Sequence, residues 1–134
     1  MGEHFFEGFF LEKGAFIAKP KNDFHRIDYV VEWRGQLVRV NVKTMYSHGN
    51  YYQCHTRTNC TGNGKRKYLA GEIDYFGIVL LEYERIWMVP FDAVHVSSLS
   101  WYPPNKNHRK NKNSFDWGPY LIKWVDDTNL LKLS

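Results

Sequence analysis

Residues 26–43 constrain this chain more than any other stretch: two alternating runs flank Trp33-Arg34-Gly35-Gln36. Alternation of apolar and polar residues is the period of a half-buried strand, and a short turn containing glycine between two such runs predicts a β-hairpin. With Arg34-Gly35 as the turn, Trp33 faces Gln36, and counting outward sets Val31 opposite Val38, Tyr29 opposite Val40 and Ile27 opposite Val42. Beyond the turn, that face is apolar. The same register sets Val30 opposite Arg39, Asp28 opposite Asn41 and Arg26 opposite Lys43 on the other face, where an acid, an amide and several cations converge. Arg26 and Lys43 would repel each other unless an anion lay close by, and Asp28 or a phosphate would supply one. Arg26 and Arg39 stay protonated, so they are expected to touch phosphate or solvent and not to transfer protons.

The rest of the chain supplies elements around this hairpin. Phe5, Phe6, Phe9 and Phe10 recur at helical spacing between Glu3, Glu7 and Glu12, and Gly14 is a stop signal, so residues 3–13 read as an amphipathic helix. Residues 15–18 read as a short strand. Residues 51–57 read as a third strand of the hairpin sheet, and residues 61–67 as a loop whose Lys65, Arg66 and Lys67 suit phosphate contact. The apolar run at 73–81 predicts a buried central strand, with residues 85–89 pairing to it through a turn at Glu82-Tyr83-Glu84. Residues 90–94 permit a helical turn and 96–101 an extended segment that Pro103 ends. Residues 105–113 carry Lys106, Arg109, Lys110 and Lys112 among four asparagines and no carboxylate, which predicts an exposed basic loop. Trp117, Tyr120, Leu121 and Trp124 predict a short helix near the C-terminus.

A length of 134 residues fits one domain over 1–134, with the basic loop and a C-terminal helical extension over 114–134 as appendages. Eighteen Lys and Arg against fourteen Asp and Glu favour an anionic partner. Cys54 and Cys60 lack the second close pair that a zinc site commonly uses, and no segment has the length of apolar sequence a membrane span needs, so the expectation is a cytoplasmic protein without signal peptide or membrane contact.

Hydrolysis of a phosphodiester needs a nucleophilic water, relief of charge on the phosphoryl oxygens and stabilisation of the leaving oxyanion, and a carboxylate-bound Mg2+ serves all three. Asp28 can bind such an ion, while Lys43 on the adjacent strand can orient the water and offset phosphate charge. Lys43 also has a plainer use, as the partner of Asp28 in a surface ion pair. Several short motifs then point one way: Gly2-Glu3 opening the first helix and Glu12-Lys13-Gly14 closing it, Arg26-Ile27-Asp28-Tyr29-Val30-Val31, Val40-Asn41-Val42-Lys43-Thr44, Glu72-Ile73-Asp74-Tyr75-Phe76, and Trp87-Met88-Val89-Pro90.

In this order and spacing, over residues 2–101, the chain resembles the PD-(D/E)xK nucleases, in particular the branch of the cyanobacterial group I intron homing endonuclease. The resemblance implies an α/β fold of restriction-endonuclease-like type, a central mixed β-sheet flanked by the N-terminal helix and a short C-terminal helix. It also implies Glu3, Asp28 and Asn41 as ligands of Mg2+, with Mn2+ as a substitute, and Lys43 as the catalytic lysine. Glu7 lies one helical turn from Glu3 and is the alternative helix carboxylate. At position 41 the family usually has an acid and this branch often glutamine. Asparagine ligates without adding charge, which leaves Glu3 and Asp28 to neutralise the ion.

The implied function is a DNA endonuclease of homing or mobile-element kind, acting on double-stranded DNA as a homo-oligomer, dimer or tetramer. Lys65, Arg66, Lys67, Lys106, Arg109, Lys110 and Lys112 would grip its backbone. Two other readings are a DNA-binding module that has lost cleavage, with Asn41 marking the loss, and a junction resolvase that shares the chemistry.

Overall fold

The computed structural model describes residues 2–21, 26–60, 64–67, 72–104 and 115–124, with backbone alone at 57–60 and 64–67. The first helix, α1, spans Gly2–Glu12 and buries Phe6 and Phe10. It stops because Gly14 takes a left-handed φ of 73°. Gly14 N–H then donates to Leu11 O at 3.0 Å and Ala15 N–H to Phe10 O at 3.1 Å, the paired bonds of a Schellman cap.

A short strand, β1 (Ile17–Ala18), leads to the hairpin of β2 (Tyr29–Trp33) and β3 (Gln36–Thr44). The pairs Trp33↔Gln36, Val31↔Val38, Val30↔Arg39 and Tyr29↔Val40 all form as the alternation predicts. Arg34 at φ 52° and Gly35 at φ 82° make the turn, both left-handed, so its twist matches that of the strands.

The neighbour of β3 on its other side is not residues 51–57 but β8 (Tyr75–Leu80), which runs parallel to it. The burial pattern explains the correction. β8 is buried on both faces from Phe76 onward, which only a central strand satisfies. By contrast, in β5 (Tyr52–His55) Tyr52 and Cys54 are buried and His55 is exposed, the pattern of a sheet with one wet face. Accordingly β5 joins a second sheet between β4 (Tyr46–Ser47) and β10 (Ser98–Trp101).

The six-stranded sheet is completed by β9 (Arg85–Pro90), antiparallel to β8, and by β11 (Leu121–Lys123), antiparallel to β9. Two one-turn 3-10 helices flank β9, Leu81–Tyr83 before it and Phe91–Ala93 after it. β11 corrects the expected C-terminal helix: within residues 115–124 the chain makes only a 3-10 turn at Gly118–Tyr120 and then an edge strand. Without it, the apolar strand β9 would present an open row of backbone donors and acceptors. Residues 61–67 are also not a simple loop, because the backbone of β6 (Arg57–Cys60) pairs with that of β7 (Gly64–Lys67). Neither strand has apolar alternation, so the sequence gives no strand signal there.

The layers follow. α1 packs its Phe6 and Phe10 on Tyr29, Val31, Val38 and Val40 on one face of the large sheet. The opposite face packs Phe76, Ile78, Leu80, Trp87 and Val89 against Tyr52, Cys54, Leu99 and Trp101 of the small sheet. No helix among the described residues is long and apolar enough to cross a membrane.

Gly77 sits where helix and sheet approach closely. A Cβ there would lie 2.5 Å from Phe6 Cε2 and 3.0 Å from Val40 Cγ1. Phe6 and Val40 are fully buried and have no room to swing aside. Gly77→Ala is therefore expected to destabilise the fold by about 1–3 kcal/mol through overpacking, read as a lower urea midpoint.

Candidate active site

The candidate site forms where the β2–β3 ladder ends. Asp28 precedes β2, and its backbone N–H donates to Val40 O at 2.8 Å, one residue out of step with the Tyr29↔Val40 pair. From there side chains replace the ladder. Asp28 Oδ2 accepts from Val42 N–H at 2.7 Å, and Asn41 Nδ2 donates to Arg26 O at 2.7 Å. The regular pairs expected for Asp28 with Asn41, Ile27 with Val42 and Arg26 with Lys43 are thus not made. Instead the two side chains reach across and fasten the strand ends together.

Arg26 is also turned elsewhere. Its Nη1 donates to Glu72 at 3.1 Å from Oε1 and 3.0 Å from Oε2, so Glu72 is the anion that the hairpin's cations called for. Arg39 grips Asp74 by a fork, Nε to Oδ2 at 3.1 Å and Nη2 to Oδ1 at 3.0 Å, while its backbone N–H adds a bond to Oδ2 at 2.8 Å. That guanidinium holds the Asp74 carboxyl below its ordinary range. Both arginines are therefore paired with carboxylates in this structure, where phosphate or solvent was expected. The motif Glu72-Ile73-Asp74-Tyr75-Phe76 does not disclose these roles in sequence, because they depend on contacts 46 and 35 residues away.

Asn41 is buried, and its donation to a carbonyl fixes which end of the amide is nitrogen. The other end, Oδ1, is buried with no hydrogen-bond partner. An orphaned buried acceptor costs about 1–3 kcal/mol, which a ligand at that oxygen would recover.

Asp28 is held above the ordinary carboxylate range. Burial is the main cause and the negative charge of Glu3 adds to it, while the Val42 N–H and the ammonium groups of Lys43 and Lys19 pull the other way. A partly buried carboxylate short of positive charge is what a divalent cation would relieve.

Glu3 comes from the first turn of α1. A Cβ on Gly2 would run into the Thr44 side chain, so glycine lets the helix start press against the end of β3, one residue beyond Lys43. Glu3 is half-exposed and meets Lys19 Nζ at 3.3 Å. Glu7 is engaged differently: it accepts the Tyr29 hydroxyl at 2.9 Å, and burial together with that bond pushes the Tyr29 phenol upward. Of the two glutamates, Glu3 is the one whose charge bears on Asp28.

Lys43 lies two positions beyond Asn41 on β3, on the same face of the strand. It pairs in register with Ile78 of β8, and its charge acts on both Asp28 and Cys54. Cys54 is a core residue whose thiol burial pushes up to about 12, so it stays protonated and packs as a small apolar group.

The donors fit a hard divalent ion. Mg2+ takes oxygen ligands, commonly one or two carboxylates with water and phosphate making up the rest, and Glu3, Asp28 and Asn41 Oδ1 match that pattern. Among the described residues no three His, Cys, Asp or Glu gather, so any such site here depends on the amide. Lys65, Arg66 and Lys67 fall on β7, whose side chains lie outside the described residues, as do Lys106, Arg109, Lys110 and Lys112.

A sequence profile of the PD-(D/E)XK endonucleases matches residues 6–118, a span that holds Asp28, Asn41 and Lys43. The chain belongs to the PD-(D/E)XK endonuclease family. Among solved structures, this PD-(D/E)XK chain is similar to the bacterial homing endonuclease I-Ssp6803I, with a TM-score of 0.73 and 21% identity over 98% of this chain and 88% of that one. At that identity the likeness is one of fold. No curated protein matches the chain.

Proposed function

We propose that this PD-(D/E)XK chain is a divalent-metal-dependent endonuclease that hydrolyses the backbone of double-stranded DNA, and that it is of the homing kind. The observation that carries the reading is the cross-fastened end of β2 and β3, where Asp28 and the orphaned Asn41 oxygen are held beside Lys43. Glu3, Asp28 and Asn41 would hold Mg2+, with Mn2+ as a substitute; when bound it supplies Lewis acidity toward a phosphoryl oxygen and toward water. Lys43 orients the attacking water and offsets phosphate charge. Lys65, Arg66, Lys67, Lys106, Arg109, Lys110 and Lys112 grip the DNA backbone. Two-strand scission by one centre per chain calls for a homo-oligomer, a dimer or tetramer.

The test is incubation of supercoiled plasmid with the full chain. Nicked and linear products are expected with Mg2+ or Mn2+ and none with EDTA. The neutral amide at position 41, tied to the Arg26 carbonyl, favours a second reading, a DNA-binding module without cleavage. That reading predicts a shifted band on a gel and intact plasmid with either metal.

A further inference from the structure

The acids of this chain are unevenly spread. No Asp or Glu occurs between residues 33 and 71, and none between residues 93 and 115. Those two stretches contain all three strands of the small sheet: β4 and β5 in the first, β10 in the second. Both run on into the most basic segments of the sequence, the first to Lys65-Arg66-Lys67 and the second to residues 105–113.

The register of the small sheet sorts its side chains. Tyr46 pairs with Gln53 and Gln53 with Ser100, so these three form one row across the strands; His55 and Ser98 form the next row on the same face. The opposite rows, Tyr52 with Trp101 and Cys54 with Leu99, are buried in the core. The outer face is therefore mounted on rigid packing. It carries hydroxyl, amide and imidazole groups and no carboxylate, and Tyr46 is 68% exposed. Gln53 Nε2 makes a long 3.4 Å contact to Ser100 Oγ, weak enough to be exchanged for a better partner.

From these observations we infer that the outer face of β4, β5 and β10 is the surface that reads base sequence in the major groove, with Gln53 at its centre. The inference rests on the DNA-cleaving reading above. A major groove about 12 Å wide admits a two-stranded β-ribbon, and β5 with one neighbour at about 4.8 Å spacing makes such a ribbon, with the third strand at the groove's edge. A glutamine amide can pair with the N6 and N7 edge of adenine, a hydroxyl with several base edges, and a tyrosine ring can lie on a thymine methyl. The lack of acid lets the face approach phosphates on both sides.

Distance links the face to the cut. From Lys43 near the end of β3 the chain passes through Thr44 and Met45 to Tyr46 of β4, and Met45 N–H is tied to Val79 O at 2.8 Å. Three residues of extended chain cover about 10 Å, so the bases read would lie within about five base pairs of the scissile phosphate.

The experiment is selection of bound duplexes from a randomised library by full-length Asp28→Asn protein, so that capture does not depend on cleavage. It is repeated with Gln53→Ala and with Tyr46→Ala added. The parent is expected to enrich a sequence preference, and Gln53→Ala to weaken the preference at one or two positions by about 10-fold or more. A parent with no preference, or an unchanged preference in both face variants, would overturn the inference. Plasmid cleavage by the wild-type chain is scored separately: failure there with a face-dependent preference here sinks the nuclease and leaves the reading surface standing.

Discussion

Lys43→Ala is expected to leave DNA bound and nearly uncut. The side chain stands on β3 two positions from Asn41, and of the cations acting on Asp28 its charge acts most strongly, so its removal takes away the main positive charge felt by the carboxylate that would hold the metal. Loss of a group that positions water and transfers protons costs about 10²–10⁴ in rate. Binding should survive, because affinity for DNA comes from many backbone contacts and one ammonium contributes only a fraction of them. Lys43→Arg separates two roles. Guanidinium keeps the charge but does not release a proton near neutral pH, so recovery of cutting by arginine assigns Lys43 an electrostatic role, and continued loss assigns it proton handling. The nicking rate of plasmid and a gel shift on the same preparations provide the readouts. Undiminished nicking by Lys43→Ala would remove Lys43 from the chemistry.

What the sequence disclosed about this site depended on how far apart its parts lie. Asp28, Asn41 and Lys43 sit on one hairpin, and the turn at Arg34-Gly35 sets their register from local residues alone, so their proximity was legible. The place where that register gives out was not. The ladder ends at Tyr29 because Asp28 and Asn41 reach across with their side chains, and Glu72 and Asp74 take the arginines from 46 and 35 residues further along the chain.

Likewise β8 is legible from its continuous apolar run, whereas β11 is not, because four apolar residues in a short segment suit the helical period as well as the strand's. What decides β11 is the open edge of β9, a tertiary requirement. Glu3 was named by resemblance; its physical reason, the fit of Gly2 against Thr44, appears only once helix and sheet are packed.

The raised Asp28 carboxyl leads to the second large effect. A carboxyl whose folded value stands above its ordinary 3.8 keeps a proton in the folded state at pH values where the unfolded chain has released it. Folding is then favoured at low pH, and stability is lost as pH rises from the ordinary value through the raised one. Above that window the full cost of an ionised, partly buried Asp28 remains. Asp28→Asn removes the charge, while its amide oxygen can still accept from Val42 N–H.

At neutral pH in EDTA the variant is therefore expected to melt above the wild type, and the gap should close below the carboxylate range. Added Mg2+ should raise the wild type and leave the variant where it was, because only the wild type gains a charged ligand for the ion. Cleavage by Asp28→Asn should fall by about 10³-fold or more, since losing a direct ligand exceeds the roughly 10–100-fold effect of losing a supporting one. Melting curves near pH 3 and pH 7, each with EDTA and with Mg2+, decide the matter. A gap independent of pH would show that the Asp28 charge is no burden to the fold, and a wild type indifferent to Mg2+ would show that it is no seat for the metal.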